Sequence, residues 1–164
     1  MFRAGTPMAS YIKNSIASRK MEIIEQIKEK LKDKILDFFK KNEQRYYITV
    51  NPEDIVNVSK ILFSELNLRF ATATGIDTPK GIEILYHFSH DTTGKIFTIK
   101  VLITDKKKPE IESISKIIKG AEWIEREIWE MLGVNFKNHP DLRRLLLAED
   151  WPEGIYPLRQ VDRD

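Results

Sequence analysis

Residues 121–146 read AEWIEREIWEMLGVNFKNHPDLRRLL, and the change of character inside this stretch decides the fold. Ala121, Ile124, Ile128 and Leu132 recur at helical spacing with Met131 beside them, which makes one apolar stripe. Glu122, Arg126 and Glu130 stand four apart on another face, where Arg126 can meet an acid on either side. Gly133 follows the last periodic residue, where a left-handed cap often ends a helix. Beyond it the helical period is lost. His139, Pro140, Asp141, Arg143 and Arg144 crowd a short segment. Few cores need that mixture, so the segment marks a shaped surface.

Upstream, three runs have strand character: Leu68–Thr74, Ile82–His90 and Ile96–Thr104. Asp77, Thr78, Pro79 and Gly81 supply one turn, and Asp91 to Gly94 the next. Alternation puts Ile82, Ile84, Tyr86 and Phe88 on one face, and Phe97, Ile99, Val101 and Ile103 likewise share a face. The last two strands form an antiparallel hairpin. Further upstream, YYITV at 46–50 is a short strand, and Asn51-Pro52-Glu53 opens a helix that runs to about Leu66. Ile24, Ile27, Leu31, Ile35 and Phe38 predict a helix over 21–41, packed on its own domain rather than on a membrane surface. Ser113 caps a short helix through Ile118. The expected fold is α+β: a small, mainly antiparallel sheet packed with helices, plus an extended C-terminal docking tail. Residues 1–20 are expected to be flexible or ordered by a partner, 21–134 to form the core domain, and 135–164 to form the tail.

The chain of 164 residues has the size of one domain, and 41% hydrophobic content supports a core. It has no cysteine, which removes disulfides, thiolate-held iron–sulfur clusters and thiol catalysis. Arg3, Lys13 and Arg19 interrupt any signal-peptide pattern, and no run reaches the length of a membrane span. Residues 1–41 carry 10 basic and 5 acidic side chains, whereas 122–164 carry 6 and 10. Opposite charge at the two ends suits a subunit facing different neighbours, and equally a highly soluble surface from a hot environment.

Local chemistry is sparse. No glycine-rich phosphate loop is present. His87 and His90, three apart in a strand, point to opposite faces and chelate poorly; His139 is distant in sequence. Glu125, Glu127 and Glu130 lie on one helix, whereas glycosidic acid–base work needs two acids across a cleft. Salt bridges to Arg126, Arg143, Arg144 or a partner are their expected use. Acids interleave the lysines of 28–41, and no aromatic ladder accompanies them, so nucleic-acid binding is not expected. Two classes remain: an assembly subunit, or a small enzyme with a dispersed site. The aromatic tail, with Trp151 and Tyr156, favours the first.

The organising stretch resembles the 30 kDa subunit family of respiratory complex I, the C-type subunits of NADH dehydrogenase. The resemblance is carried by Gly120 to Trp123, Glu125-Arg126-Glu127, Glu130, Leu132-Gly133, Phe136, the run His139 to Leu145, Trp151 and Pro157-Leu158-Arg159. It continues less specifically through Tyr86-His87. Ile128-Trp129 and Met131 depart from the family's usual hydrophobic choices. The resemblance implies an α+β accessory subunit with no cofactor of its own, beside a hydrogenase-like large subunit and a small iron–sulfur subunit. Iron–sulfur clusters, and in some branches a NiFe centre, belong to those partners. The implied location is peripheral, on the cytoplasmic face of the cell membrane, with the membrane arm touched only indirectly. The compact length looks like the membrane-bound, energy-converting [NiFe] hydrogenase branch; a quinone-reducing complex I and a sulfur-reducing complex are the alternatives. The implied partner-binding residues are Glu125, Arg126, Glu127 and Glu130 on the helix, then His139, Asp141, Arg143 and Arg144, and finally Trp151, Tyr156 and Arg159 in the tail.

Overall fold

The structure, a computed structural model, describes residues 21–160; the expectation for residues 1–20 lies outside them. Helix α1 spans Ile23–Leu31, followed by strands β1 (Asp37–Lys40) and β2 (Arg45–Thr49). A 3-10 turn at Pro52–Asp54 leads into α2 (Ile55–Lys60), which widens into a π turn at Ile61–Glu65. Strands β3 (Arg69–Thr78), β4 (Gly81–His90) and β5 (Lys95–Ile103) follow, then β6 (Glu110–Glu112), α3 (Ala121–Leu132) and β7 (Asn135–Lys137).

Five strands form one sheet in the order β1-β2-β5-β4-β3. All neighbours are antiparallel except β2 and β5. Cross-strand register aligns Phe88 with Phe97, Tyr86 with Ile99, Ile84 with Val101 and Ile82 with Ile103. All eight are buried, so one sheet face carries the core. The buried stripes of α1 (Ile23, Ile27, Leu31) and of α2 and its π turn (Ile55, Val58, Leu62) join the same cluster. The opposite face holds half-buried residues such as Leu85, His87 and Leu102, with Glu83 paired to Lys100 at 3.1 Å. The α+β expectation holds.

Three local expectations differ from the structure. The helix expected over 21–41 ends at Leu31, where the Lys34 and Ile35 amides both donate to the Leu31 carbonyl. Residues 37–40 instead pair with β2, so backbone pairing at the sheet edge overrides a helical apolar spacing. Phe38 then reaches the Tyr46 ring at 6.0 Å between centroids, and the Lys28 ammonium lies over Phe38. Asn51 makes no side-chain cap, although Pro52 stands at the start of the turn as expected. Ser113 opens no helix: residues 115–117 make a single turn, and its hydroxyl is engaged elsewhere.

After α3, Gly133 adopts φ 72°, and its amide donates to the Trp129 carbonyl at 2.8 Å. This reversal sends β7 back beside β6 in a small parallel pair, burying Val134 and Phe136. On the sheet side α3 approaches β3 so closely that a Cβ on Gly75 would stand 2.5 Å from Leu132 Cδ1.

Candidate functional site: a clamped C-terminal strap

The apolar stripe of α3 is buried at Ala121, Ile128 and Leu132, as its period requires, but Glu125, Arg126 and Glu130 are buried beside it. Burying charged groups is costly unless each polar atom finds a partner. Here the partners are mostly backbone groups of the segment after β7.

Arg126 donates from Nε to the Arg143 carbonyl (2.9 Å) and from Nη2 to the Arg144 carbonyl (2.5 Å). One turn on, Glu130 accepts from the next three amides: Leu145 at 2.6 Å, Leu146 at 2.9 Å and Leu147 at 3.4 Å. A cation thus takes two carbonyls and an anion three amides of one irregular stretch. That replaces the bonds a helix or strand would have provided. Arg126 meets backbone carbonyls here, and the expected ion pair with a neighbouring helix acid does not form among the described residues.

The strap is then fastened along its length. Arg144 donates to the Ala148 and Trp151 carbonyls at 2.5 and 2.6 Å, and Trp151 Nε1 to the Ile155 carbonyl at 2.8 Å. Arg159 donates to the Leu132 and Lys106 carbonyls at 2.6 and 2.9 Å, with its guanidinium over the Tyr156 ring. The Gln160 amide meets Asp77 Oδ2 at 2.8 Å, while Lys106 Nζ lies 2.6 Å from Asp77 Oδ1. Burial works against the Asp77 charge, but Lys106, the Gln160 amide and Arg159 outweigh it and hold the carboxyl below its ordinary value.

Beneath the strap lies a cavity of about 340 Å³, lined by Trp129, Glu130, Arg144, Leu147 and residues 151–156. Gly133 packs against Tyr156 of that lining: a Cβ there would meet Tyr156 Cε2 at 2.5 Å. Outside, Trp123, Leu146, Ile155 and Leu158 are all more than half exposed. Asp141 and Arg143 pair at 2.9 Å, with the Arg143 side chain 74% exposed. Glu127 lines a groove between α3 and β3 with Met131 and Leu158.

At the N-terminal end of α3, Glu125 is fully buried. Its Oε2 accepts from Ser113 Oγ at 2.5 Å, its Oε1 from the Ile114 amide at 2.8 Å, and Ser113 also meets Ser115. Burial pushes this carboxyl up to about 7 against the pull of those two donors, and Glu122 one turn away pushes the same way. His139, its side chain buried, lies with Nε2 at 2.9 Å from the Glu122 carbonyl and 3.8 Å from Glu125 Oε2. The Asp141 amide donates to Nδ1 at 3.0 Å, which leaves Nε2 as the protonated nitrogen. His87 and His90 bond hairpin hydroxyls, Thr98 and Thr93.

The eleven sequence-predicted residues therefore gather on α3 and the strap but divide by role. Glu125, Arg126, Glu130 and His139 hold this chain's own backbone; Arg144 and Arg159 fasten the strap; Trp151 and Tyr156 wall the cavity; Glu127, Asp141 and Arg143 face outward. Asp77, Lys106, Ser113 and Tyr86 do not stand out in the sequence as site residues. Nothing local marks them, because Asp77 meets Lys106 and the Gln160 amide, and Ser113 meets Glu125, across 12 to 83 positions of sequence. Among the described residues no group of three or more His, Cys, Asp or Glu is placed to hold a metal ion.

Among the described residues, an α+β core is thus followed by a clamped, apolar-faced strap, and comparison with known proteins places this arrangement in a family. The sequence family described as "respiratory-chain NADH dehydrogenase, 30 Kd subunit" matches residues 48–162, and the chain belongs to it. The C-type subunit of the NADH-quinone oxidoreductase of Chelativorans sp. (strain BNC1) is 35% identical over 140 residues, covering 82% of this chain and 68% of that one. The C/D-type subunit of the same enzyme from Phocaeicola vulgatus is 41% identical over 88 residues; these are 53% of this chain but only 17% of that longer relative. Among solved structures, a chain of an archaeal membrane-bound sulfane sulfur reductase superposes with a TM-score of 0.75 at 27% identity, covering 87% of this chain and 84% of its own. The matches thus include subunits of NADH-quinone oxidoreductases and a chain of a sulfane sulfur reductase complex.

Proposed function

We propose that this chain is a brace: a subunit with no redox centre of its own that grips a D-type large subunit of a membrane-bound oxidoreductase through the α3–strap surface. A small iron–sulfur subunit is the second neighbour. The carrying observation is the strap itself. A poorly self-structuring segment is fixed by Arg126, Glu130, Arg144 and Arg159 so that Leu146, Ile155 and Leu158 are exposed, and α3 adds exposed Trp123. Soluble surfaces rarely gather such residues without a partner to cover them. No helix of the described residues is long and apolar enough to cross a membrane, which fits peripheral attachment through the complex.

Which complex the brace serves is a finer question. The matched relatives carry the names of quinone-reducing and sulfane-sulfur-reducing complexes, and these support either reading over the hydrogenase reading favoured by chain length. Gentle purification of the tagged chain from its native membrane tests both levels. Recovery of a D-type large subunit in equal amount is the expected result; a chain recovered alone from intact complexes overturns the brace. In the recovered large subunit, four metal-ligating cysteines select hydrogenase, and their absence selects the other two.

A further inference from the structure

We propose that Glu125 is a proton-operated latch: protonated, it lets the loop after β6, the start of α3 and the His139 turn close over it, and ionised, it loosens all three. The geometry carries this. Three separate pieces of chain converge on one fully buried carboxyl: Ser113 and Ile114 before the helix, Glu125 within it, and His139 after β7. Strand β4 supplies the floor, where Tyr86 is fully buried and its hydroxyl has no hydrogen-bond partner among the described residues. No lysine or arginine of the described residues pairs with the carboxyl; the sole basic group within 4.0 Å is His139, at 3.8 Å.

Burial and Glu122 argue against an unpaired charge at Glu125. Glu122, on the same helix, repels it. The Tyr86 phenol is itself held protonated, by burial first and by Glu125 second. The His139 imidazole donates Nε2–H to the Glu122 carbonyl and accepts the Asp141 amide at Nδ1, so a proton added at Nδ1 costs it the Asp141 contact. The Ser113 hydroxyl and the Ile114 amide, neutral donors, pull the other way and favour the charge, but burial outweighs them. A carboxyl raised to about 7 places the change near neutral pH, so ionisation either drags His139 out of its turn or admits water. Both routes release the start of the strap. The latch belongs to the chain itself and stands whether or not the brace does.

The test is amide exchange on the full chain across about pH 6 to about 8.5, corrected for intrinsic rates, beside a 13C titration of the Glu125 carboxyl. Protection over 113–118 and 139–147 is expected to fall by about tenfold with the same midpoint as the carboxyl. In Glu125→Gln, whose amide can still accept from Ile114 and donate to Ser113, protection is expected to stay flat. A carboxyl that titrates in the ordinary range overturns the latch. So does protection that is unchanged across the range, or that falls equally in Glu125→Gln. Should that variant not fold, coincidence of the two wild-type midpoints decides.

Discussion

Glu130 gathers three successive backbone amides onto one carboxylate, and Arg126 gathers the two carbonyls just before them. Replacing Glu130 by Gln keeps the shape but leaves one neutral acceptor where there were two charged ones. The expected cost is about 2 kcal/mol of stability, read by urea unfolding, with selective loss of exchange protection at Leu145–Leu147. Glu125 acts on stability with the opposite charge preference. Its carboxyl ionises at 4.5 ordinarily and at about 7 here. Between those values the unfolded chain has shed the proton and the folded chain has kept it. The contribution is therefore complete below 4.5 and lost as pH rises through 7, about 3 kcal/mol in all. Asp77, held low, works the other way: its contribution is present above its ordinary value and lost as pH falls. Unfolding measured across the window should slope downward in the wild type and lose that component in Glu125→Gln.

At the scale of elements, α3 and its left-handed end were legible because stripe, charges and Gly133 agree. The β4–β5 hairpin was legible because alternation and turn residues agree. Residues 37–40 were not, since Ile35 and Phe38 continue the apolar spacing of α1, and only the free edge of β2 decides against it. Ser113 had the look of a helix start, but a carboxyl 12 residues on claimed its hydroxyl. The charged block stands out in the sequence by its composition. Its inward turn was invisible, because the carbonyls and amides that neutralise it carry no sequence signal. Gly133 joins α3 to the strap in two ways at once: its backbone needs a positive φ, and Tyr156 fills the space a side chain would take. Gly133→Ala should therefore cost more than the cap strain of about 1 kcal/mol, on the order of 2–3. Tyr156 displaced from α3 should appear as a changed tyrosine ring environment by NMR before global unfolding.

For the whole molecule, the division between inward and outward groups separates folding from assembly. Leu146 is 61% exposed, so in the free chain Leu146→Ser removes little buried area and should change stability by no more than about 0.5 kcal/mol. In the complex the same side chain would be covered at the centre of an interface, where losing an apolar anchor weakens binding by about tenfold or more. Arg143, with its side chain 74% exposed and paired to Asp141, lies on the same segment, and Arg143→Glu should also leave the fold alone. Its effect belongs to encounter and orientation, so it should grow at low salt and shrink at high salt, whereas the Leu146→Ser loss should not. Both variants should reduce the amount of complex recovered while leaving activity per assembled complex unchanged. A variant that assembles fully yet reduces its acceptor more slowly would move this surface from bracing to electron transfer. Glu130→Gln supplies the contrast: it should lose assembly only in step with strap protection, because it builds the surface without being part of it.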